Sequence, residues 1–153
     1  MTNEQLAQFL VAAKRATYAA QGDDASVTPL LDGSRQLEFR LGNVLYRDIY
    51  FGFAYFVGQE TVYVADVPVW AMGYAGGIVD SNADAGAVYK FLQFALRQAD
   101  AASPYRGPGL IRGDDFQYTA QTNGTLDNFW GIERITKARA LLYELRYHGG
   151  RIR

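Results

Sequence analysis

Apolar side chains recur every three or four residues near the start of the chain, which predicts an amphipathic helix. Thr2 and Gln5 stand three residues apart, as a capping box at the first turn requires, and Gly22 supplies a stop. The apolar stripe comprises Leu6, Phe9, Leu10, Ala13, Thr17 and Ala20. The opposite, solvent-facing side carries Gln8, Lys14 and Arg15.

A second amphipathic helix is predicted over residues 84–100, with the clearest stripe in the chain. Its apolar positions are Val88, Phe91, Leu92, Ala95, Leu96 and Ala99. Its polar face carries Lys90, Gln93 and Arg97. Ser103 and Pro104 close the helix, and residues 105–109 form a loop because Gly and Pro interrupt regular structure there.

Strand patterns cover much of the remaining chain, with apolar and polar residues alternating over 36–41. A hairpin is predicted where Gly42 and Asn43 form a two-residue turn between strands at 37–41 and 44–51. The predicted pairs are Leu41 with Val44, Phe39 with Tyr46, Leu37 with Asp48 and, on the other face, Glu38 with Arg47. Further strands are predicted at 55–57, 61–65, 69–74, 116–121, 129–136 and 141–148, with turns at 66–68, 123–124 and 137–139.

This order of elements predicts a single α+β domain over residues 1–153. Its short connections favour antiparallel pairing, because parallel crossovers need a dozen or more residues. We therefore expect a curled antiparallel β-sheet with the two amphipathic helices packed on one side. No internal repeat is evident in the sequence.

Charge and composition narrow the functional classes. The net charge of −1 lacks the basic surplus of a nucleic-acid-binding domain, which argues against such a partner. The chain has no Cys and only one His, so we expect no metal site and no cofactor. No stretch approaches the roughly 18 apolar residues that span a bilayer, and the N-terminus lacks a signal peptide, which predicts a cytoplasmic protein without a membrane partner.

Six segments, read in order, resemble a known family. They are residues 13–19 (AKRATYA), 46–52 (YRDIYFG), 68–74 (PVWAMGY), 104–108 (PYRGP), 131–135 (GIERI), and 143–144 (YE) with 148–150 (HGG). Together they resemble the bacterial family called domain of unknown function 5680, over nearly the whole chain. Members of that family occur alone or behind a helix-turn-helix DNA-binding domain, which implies a sensing or effector module and no particular reaction.

Asp48 is the first candidate for a functional residue. The predicted register places its carboxylate on an apolar sheet face beside Phe39 and Tyr46, where a charge is costly unless it is paired or hydrogen-bonded. Either Asp48 has a structural role, in an ion pair with a cation such as Arg106 or in a hydrogen bond to a Tyr, or its pKa is raised and it marks a binding site.

Three residues near the end of the chain offer acid–base chemistry. Glu133 and Glu144 lie on the last two predicted strands, and His148 follows on the second of them. If the turn brings these faces together, two carboxylates and the only His converge, and such a set can exchange protons. Charges on the solvent-exposed face of a hairpin give the same pattern.

An aromatic stripe offers a binding surface. Trp70, Met72 and Tyr74 share one strand face, and Tyr50 and Trp130 come from other strands. Such residues form either the core or the wall of a pocket, since small-ligand sites are mostly apolar with a few polar anchors. The candidate ligand-binding residues are Asp48, Tyr50, Trp70, Met72, Tyr74, Arg106 and Trp130.

Three functional hypotheses follow. The leading one is a small-molecule-binding or sensing domain with an aromatic-lined pocket on the curled sheet. The second is a small hydrolase-like enzyme that uses Asp48, Glu133 and Glu144 as acid–base carboxylates with His148 as a helper. The third is a protein-interaction module, with a homodimer through an open sheet edge as one form.

Overall fold

The computed structural model describes residues 1–17 and 26–153. The described part of the chain contains two helices and eight strands. These are α1 Asn3–Ala16, β1 Arg35–Leu41, β2 Val44–Gly52, β3 Tyr55–Val64, β4 Val67–Ile78, α2 Ala85–Leu96, β5 Leu110–Gly113, β6 Phe116–Thr125, β7 Asn128–Lys137 and β8 Ala140–Arg151. The predicted last turn and stop of the first helix, at Ala20 and Gly22, lie outside the described residues.

The eight strands form one antiparallel sheet in the order β1-β2-β3-β4-β8-β7-β6-β5. Each half is a four-stranded meander, which we call the first meander (β1–β4) and the second meander (β5–β8). They join where β4 pairs with β8, and β1 and β5 are the outermost strands. Ser26 forms a bridge to Leu37 on the outer side of β1. The predicted α+β fold with a curled antiparallel sheet is confirmed.

The predicted register of the first hairpin is also confirmed. Leu37 lies opposite Asp48, and Phe39 lies opposite Tyr46. On the outer face the Arg47 Nε donates to Glu38 Oε1 at 2.6 Å. The predicted inward position of Asp48 is therefore correct, because a shift of one residue would have turned its side chain to the other face.

Several predicted strand limits were wrong. β3 runs unbroken from Tyr55 to Val64, although the polar stretch at 58–60 suggested an interruption. The turn before β4 is Ala65–Asp66, where both residues have positive φ, and not 66–68. The Asn-Gly pair at 123–124 lies inside β6, and β5 was not predicted because four residues carry too little alternation.

Both helices contribute to one core with the inner sheet face. The capping box of Thr2 and Gln5 is present as predicted, and α2 begins at the Asp84 cap but ends at Leu96, short of residue 100. The hydrophobic side chains buried at 0% exposure on these elements are Leu6, Leu10, Ala13, Val62, Trp70, Met72, Leu92, Ala95, Tyr118, Ile135, Tyr143 and Leu145. Burial of this apolar surface stabilises the sheet–helix packing.

The register contains a repeat that the sequence did not reveal. Inward pairs in the first meander are Tyr46 with Val62, Asp48 with Glu60, Tyr50 with Gly58, and Gly58 with Tyr74. The corresponding pairs in the second are Tyr118 with Ile135, Ala120 with Glu133, Thr122 with Gly131, and Gly131 with Tyr147. Tyr74 and Tyr147 pair with each other at the junction. The repeat is hard to see in the sequence because only every second residue takes part in it. In addition, equivalent residues are 72 positions apart on β2 and β6 but 73 positions apart on the other strands.

Candidate functional site

A cavity of about 200 Å³ lies between the inner face of the first meander and the two helices. Its polar lining residues are Lys14, Arg35, Asp48, Glu60, Gln93 and Arg106. Its aromatic lining residues are Tyr46, Tyr50, Phe53, Phe56, Tyr74 and Tyr89. Aromatic walls of this kind are typical of small-molecule sites, and the six polar residues supply the groups that could orient a ligand.

Asp48 is a buried carboxyl in the cavity wall, with 5% of its surface exposed. Tyr74 donates a hydrogen bond from Oη to Asp48 Oδ1 at 2.6 Å, and no other hydrogen bond to Asp48 comes from the described residues. Burial and then the negative charge of Glu60 raise the pKa of Asp48 to about 7, although the Tyr74 bond opposes this. At neutral pH the carboxyl therefore exchanges readily between its two protonation states.

Glu60 lies directly across β2–β3 from Asp48 and is only 1% exposed. The Lys14 ammonium contacts Glu60 Oε2, and Arg106 Nη1 lies 3.7 Å from Glu60 Oε1. Burial lowers the pKa of Lys14, and the adjacent Glu60 charge counteracts that effect. Glu60 thus has two cationic neighbours.

Arg106 and Glu133 form a second buried ion pair deeper in the structure. Arg106 donates from Nε to Glu133 Oε2 at 3.1 Å and from Nη2 to Oε1 at 2.8 Å. Tyr118 and Tyr143 each donate a hydroxyl to Glu133, at 2.7 and 2.8 Å. Such a bidentate pair with its remaining lone pairs satisfied is a stable arrangement for buried charges.

The mouth of the cavity is bordered by the turn between β2 and β3. Tyr89 on α2 donates its hydroxyl to the carbonyl oxygens of Phe53 and Ala54, at 2.7 and 3.1 Å. The Phe53 and Tyr89 rings also meet edge to face, with centroids 5.6 Å apart. These contacts fix the turn against the helix, while the Phe53 side chain remains 60% exposed.

The structure brings together part of the predicted binding set. Asp48, Tyr50, Tyr74 and Arg106 all line the cavity. Arg106 pairs with Glu133, and not with Asp48 as the sequence suggested. Among the described residues Asp48 has no ion-pair partner, whereas the hydrogen bond to a Tyr that the sequence also suggested is present, donated by Tyr74.

Trp70 and Met72 share the inner face with Tyr74 but do not line the cavity. Both are fully buried in the core, and the Trp70 ring stacks on Phe129 with centroids 5.6 Å apart. Trp130 lies on the outer face and is 61% exposed. The structure therefore places none of these three residues at the cavity.

The predicted meeting of Glu133, Glu144 and His148 does not occur. Glu133 faces the core, whereas Glu144 and His148 lie on the outer face because strand neighbours alternate. Glu144 accepts from Arg134 Nε at 2.8 Å. The two carboxylates are thus on opposite sides of the sheet and share no site.

Two central residues of the cavity were missed in the sequence. Lys14 was assigned to the solvent-facing side of α1 but is 5% exposed. Its position four residues after Leu10 places it on the apolar stripe, and this spacing was the available signal. Glu60 was hidden by the supposed break in β3, and counting alternation back from Val62 would have placed it inward.

Other site types find no support in the described residues. No group of three or more His, Asp or Glu in the described ranges is arranged to hold a metal ion. None of the helices described is long and apolar enough to cross a membrane.

The fold and cavity define an α+β domain in which an open antiparallel sheet and two helices enclose a charged pocket. Residues 48–152 match the family described as domain of unknown function DUF5680. The chain therefore belongs to this family. Comparisons with curated proteins and with solved structures give no match. The matched region begins at Asp48, so Lys14 and Arg35 reach the cavity from the segment that precedes it.

Proposed function

We propose that this protein is a small-molecule-binding or sensing domain whose ligand occupies the cavity beside the first meander. The main support is that Asp48, a buried carboxyl with a single hydrogen bond from the described residues, lies in the wall of an open space. Protein interiors are close-packed and buried carboxylates are ordinarily paired. The open space and the unpaired carboxylate occur at the same place, as expected for a ligand site.

The cavity size restricts the ligand. A cavity of roughly 150 Å³ accepts benzene. The cavity here, at about 200 Å³, suits one ring with a short substituent or an aliphatic molecule of similar size. A nucleotide or a peptide would extend far beyond it.

A thermal-shift screen with small metabolites tests the proposal, because a ligand that binds only the folded state raises the unfolding midpoint. The variant Gln93→Trp would place an indole at the cavity, since Gln93 lines it from α2. The matched control is Lys90→Trp, on the exposed side of the same helix.

We expect hits that shift the wild type and Lys90→Trp but not Gln93→Trp. A shift that persists in Gln93→Trp would place the ligand elsewhere and contradict the proposal. A broad screen without any hit would contradict it as well.

Acid–base catalysis is a second candidate function. It is favoured by the pKa of Asp48 at about 7, because a general acid or base works best when its pKa lies near the operating pH. Glu60 is the neighbouring carboxyl, and Glu144 and His148 have no part in this version. Recovery of a bound ligand unchanged after long incubation with the wild type would count against catalysis, and product formation lost in Asp48→Asn would support it.

A further inference from the structure

The charged groups around the cavity leave one carboxylate without a cation at ion-pair distance in the described part of the chain, although the charges of Lys14 and Arg106 act on it from farther away. Lys14 contacts Glu60, and Arg106 is bound by Glu133 in two hydrogen bonds. Two buried cations are thus matched to two glutamates. Asp48 is the third carboxylate, and its one hydrogen-bond partner among the described residues is the neutral Tyr74.

The second meander shows that this third carboxylate is not required by the framework. Glu60 and Glu133 occupy equivalent positions in the repeat, and each pairs with a cation. The position equivalent to Asp48 is Ala120. The same strand pairing therefore forms without a carboxylate at this position. The carboxylate of Asp48 is found only in the first meander, which lines the cavity.

We propose that the cavity binds a small organic cation, an amine whose ammonium group pairs with the Asp48 carboxylate while its apolar part contacts the aromatic wall. This inference rests on the proposed function and names its ligand class. A buried carboxylate favours a charged partner that it can hydrogen-bond directly.

The aromatic wall is suited to the same ligand, because ring faces attract cations. Two cavity tyrosines already have a protein cation near the ring. The Arg106 guanidinium carbon lies 5.7 Å from the Tyr74 centroid, and the Lys14 ammonium lies 5.8 Å from that of Tyr46. Within the described residues, no side-chain cation lies over the remaining rings, Tyr50, Phe53, Phe56 and Tyr89.

Charged and titratable groups face Asp48 from every surrounding element. They are Lys14 from α1, Arg35 from β1, Tyr46 and Tyr50 from β2, Glu60 from β3, Tyr74 from β4, Tyr89 from α2 and Arg106 from the loop before β5. Burial raises the pKa of Tyr46 and of Tyr74 well above 10, so both remain neutral donors near neutral pH. Arg35 is exposed at the mouth, where solvent and salt screen its charge.

This arrangement predicts how binding depends on pH. A cation binds the ionised carboxylate, so binding strengthens as pH rises through the Asp48 pKa of about 7. An ammonium probe with an ordinary amine pKa stays charged throughout. Its affinity is expected to fall roughly tenfold between about pH 8 and about pH 6, with a proton released on binding at the lower pH.

The test uses three probes of similar shape on the full chain: benzylamine, benzyl alcohol and benzoate. Isothermal titration at about pH 8 is expected to show benzylamine binding at least tenfold more tightly than either of the others. In Asp48→Asn this preference should disappear, whereas it should persist in the outer-face control Glu144→Gln. The pH series on the wild type gives an independent readout that needs no variant.

The outcomes separate the two proposals. Tighter binding of benzyl alcohol or benzoate would overturn the cation assignment while leaving the cavity a ligand site. A benzylamine affinity that does not change with pH, or the absence of binding by all three probes at tens of millimolar, would also overturn it. The screen with Gln93→Trp would still decide the proposed function on its own.

Discussion

Both meanders hold a buried glutamate paired with a cation at the same register position, Glu60 in the first and Glu133 in the second. The first meander adds another buried carboxylate, Asp48, at the position that Ala120 occupies in the second. In the second meander Glu133 is 0% exposed and accepts hydrogen bonds from Arg106, Tyr118 and Tyr143. In the first meander Asp48 has one such bond and faces a cavity. A fully satisfied buried charge indicates a structural role, whereas an under-satisfied charge beside open space indicates a ligand site.

The largest effect is expected from Glu133→Ala. It leaves the buried Arg106 guanidinium without its bidentate partner, and breaking such a pair costs about 3–5 kcal/mol of unfolding free energy. Denaturant unfolding at neutral pH measures the loss. The outer-face variant Glu144→Ala removes a partly exposed pair and should cost less than about 1 kcal/mol. Equal losses in the two variants would show that Glu133 is not the structural anchor described here.

A smaller effect of opposite sign is expected from Asp48→Asn. Because the folded pKa is raised to about 7, the folded protein keeps a proton on Asp48 between about pH 4 and about pH 7 that the unfolded chain has lost. Stability from this group therefore falls as pH rises through that window. A pKa raised from 3.8 to about 7 corresponds to roughly 4 kcal/mol of lost stability at about pH 8, and the unpaired amide of the buried Asn costs about 2 kcal/mol. The variant should therefore be more stable than the wild type at about pH 8, by about 2 kcal/mol, and less stable than the wild type near pH 4. A variant that is less stable at pH 8 would contradict the absence of a cationic partner.

The smallest effect is expected from Tyr74→Phe, which removes the hydrogen bond that the Tyr74 hydroxyl donates to Asp48. We expect a loss of about 1 kcal/mol in unfolding free energy. This bond lowers the pKa of Asp48, so its loss should move that pKa above 7, as followed by a carboxyl NMR titration. The matched control is Tyr147→Phe at the equivalent position, where the hydroxyl contacts Thr122. A shift of the same size in the control would refute a direct effect.

The sequence predicted the parts of this fold that depend on neighbouring residues. The first hairpin was correct because Gly42-Asn43 fixes both the turn and the register, and the α2 stripe was correct because its apolar positions repeat over three turns. The inward orientation of the Asp48 side chain followed directly from that register. Tyr50, Tyr74 and Arg106 were also placed among the cavity residues.

The remaining parts depend on contacts between distant segments. Glu133 and Glu144 look alike in a strand, and only the register of β7 against β8 puts one in the core and the other outside. Lys14 was placed in solvent because a lysine is rarely buried, and its partner Glu60 is 46 residues away. The cavity itself is a volume left between elements, and no local pattern encodes it.

Two glycines suggest how distant relatives of this domain can be sorted. A methyl group at Gly58 would lie 2.4 Å from the Tyr74 hydroxyl, and one at Gly131 would lie 2.3 Å from the Tyr147 ring. Each glycine is thus the space through which a tyrosine crosses to the neighbouring strand. A homologue with a larger residue at the position of Gly58, but with Gly131 retained, would keep the fold. Its side chain at the position of Tyr74 would have to adopt another orientation. We expect such a homologue to bind a different ligand, and the residue at the position of Gly58 would distinguish it from proteins that keep the glycine.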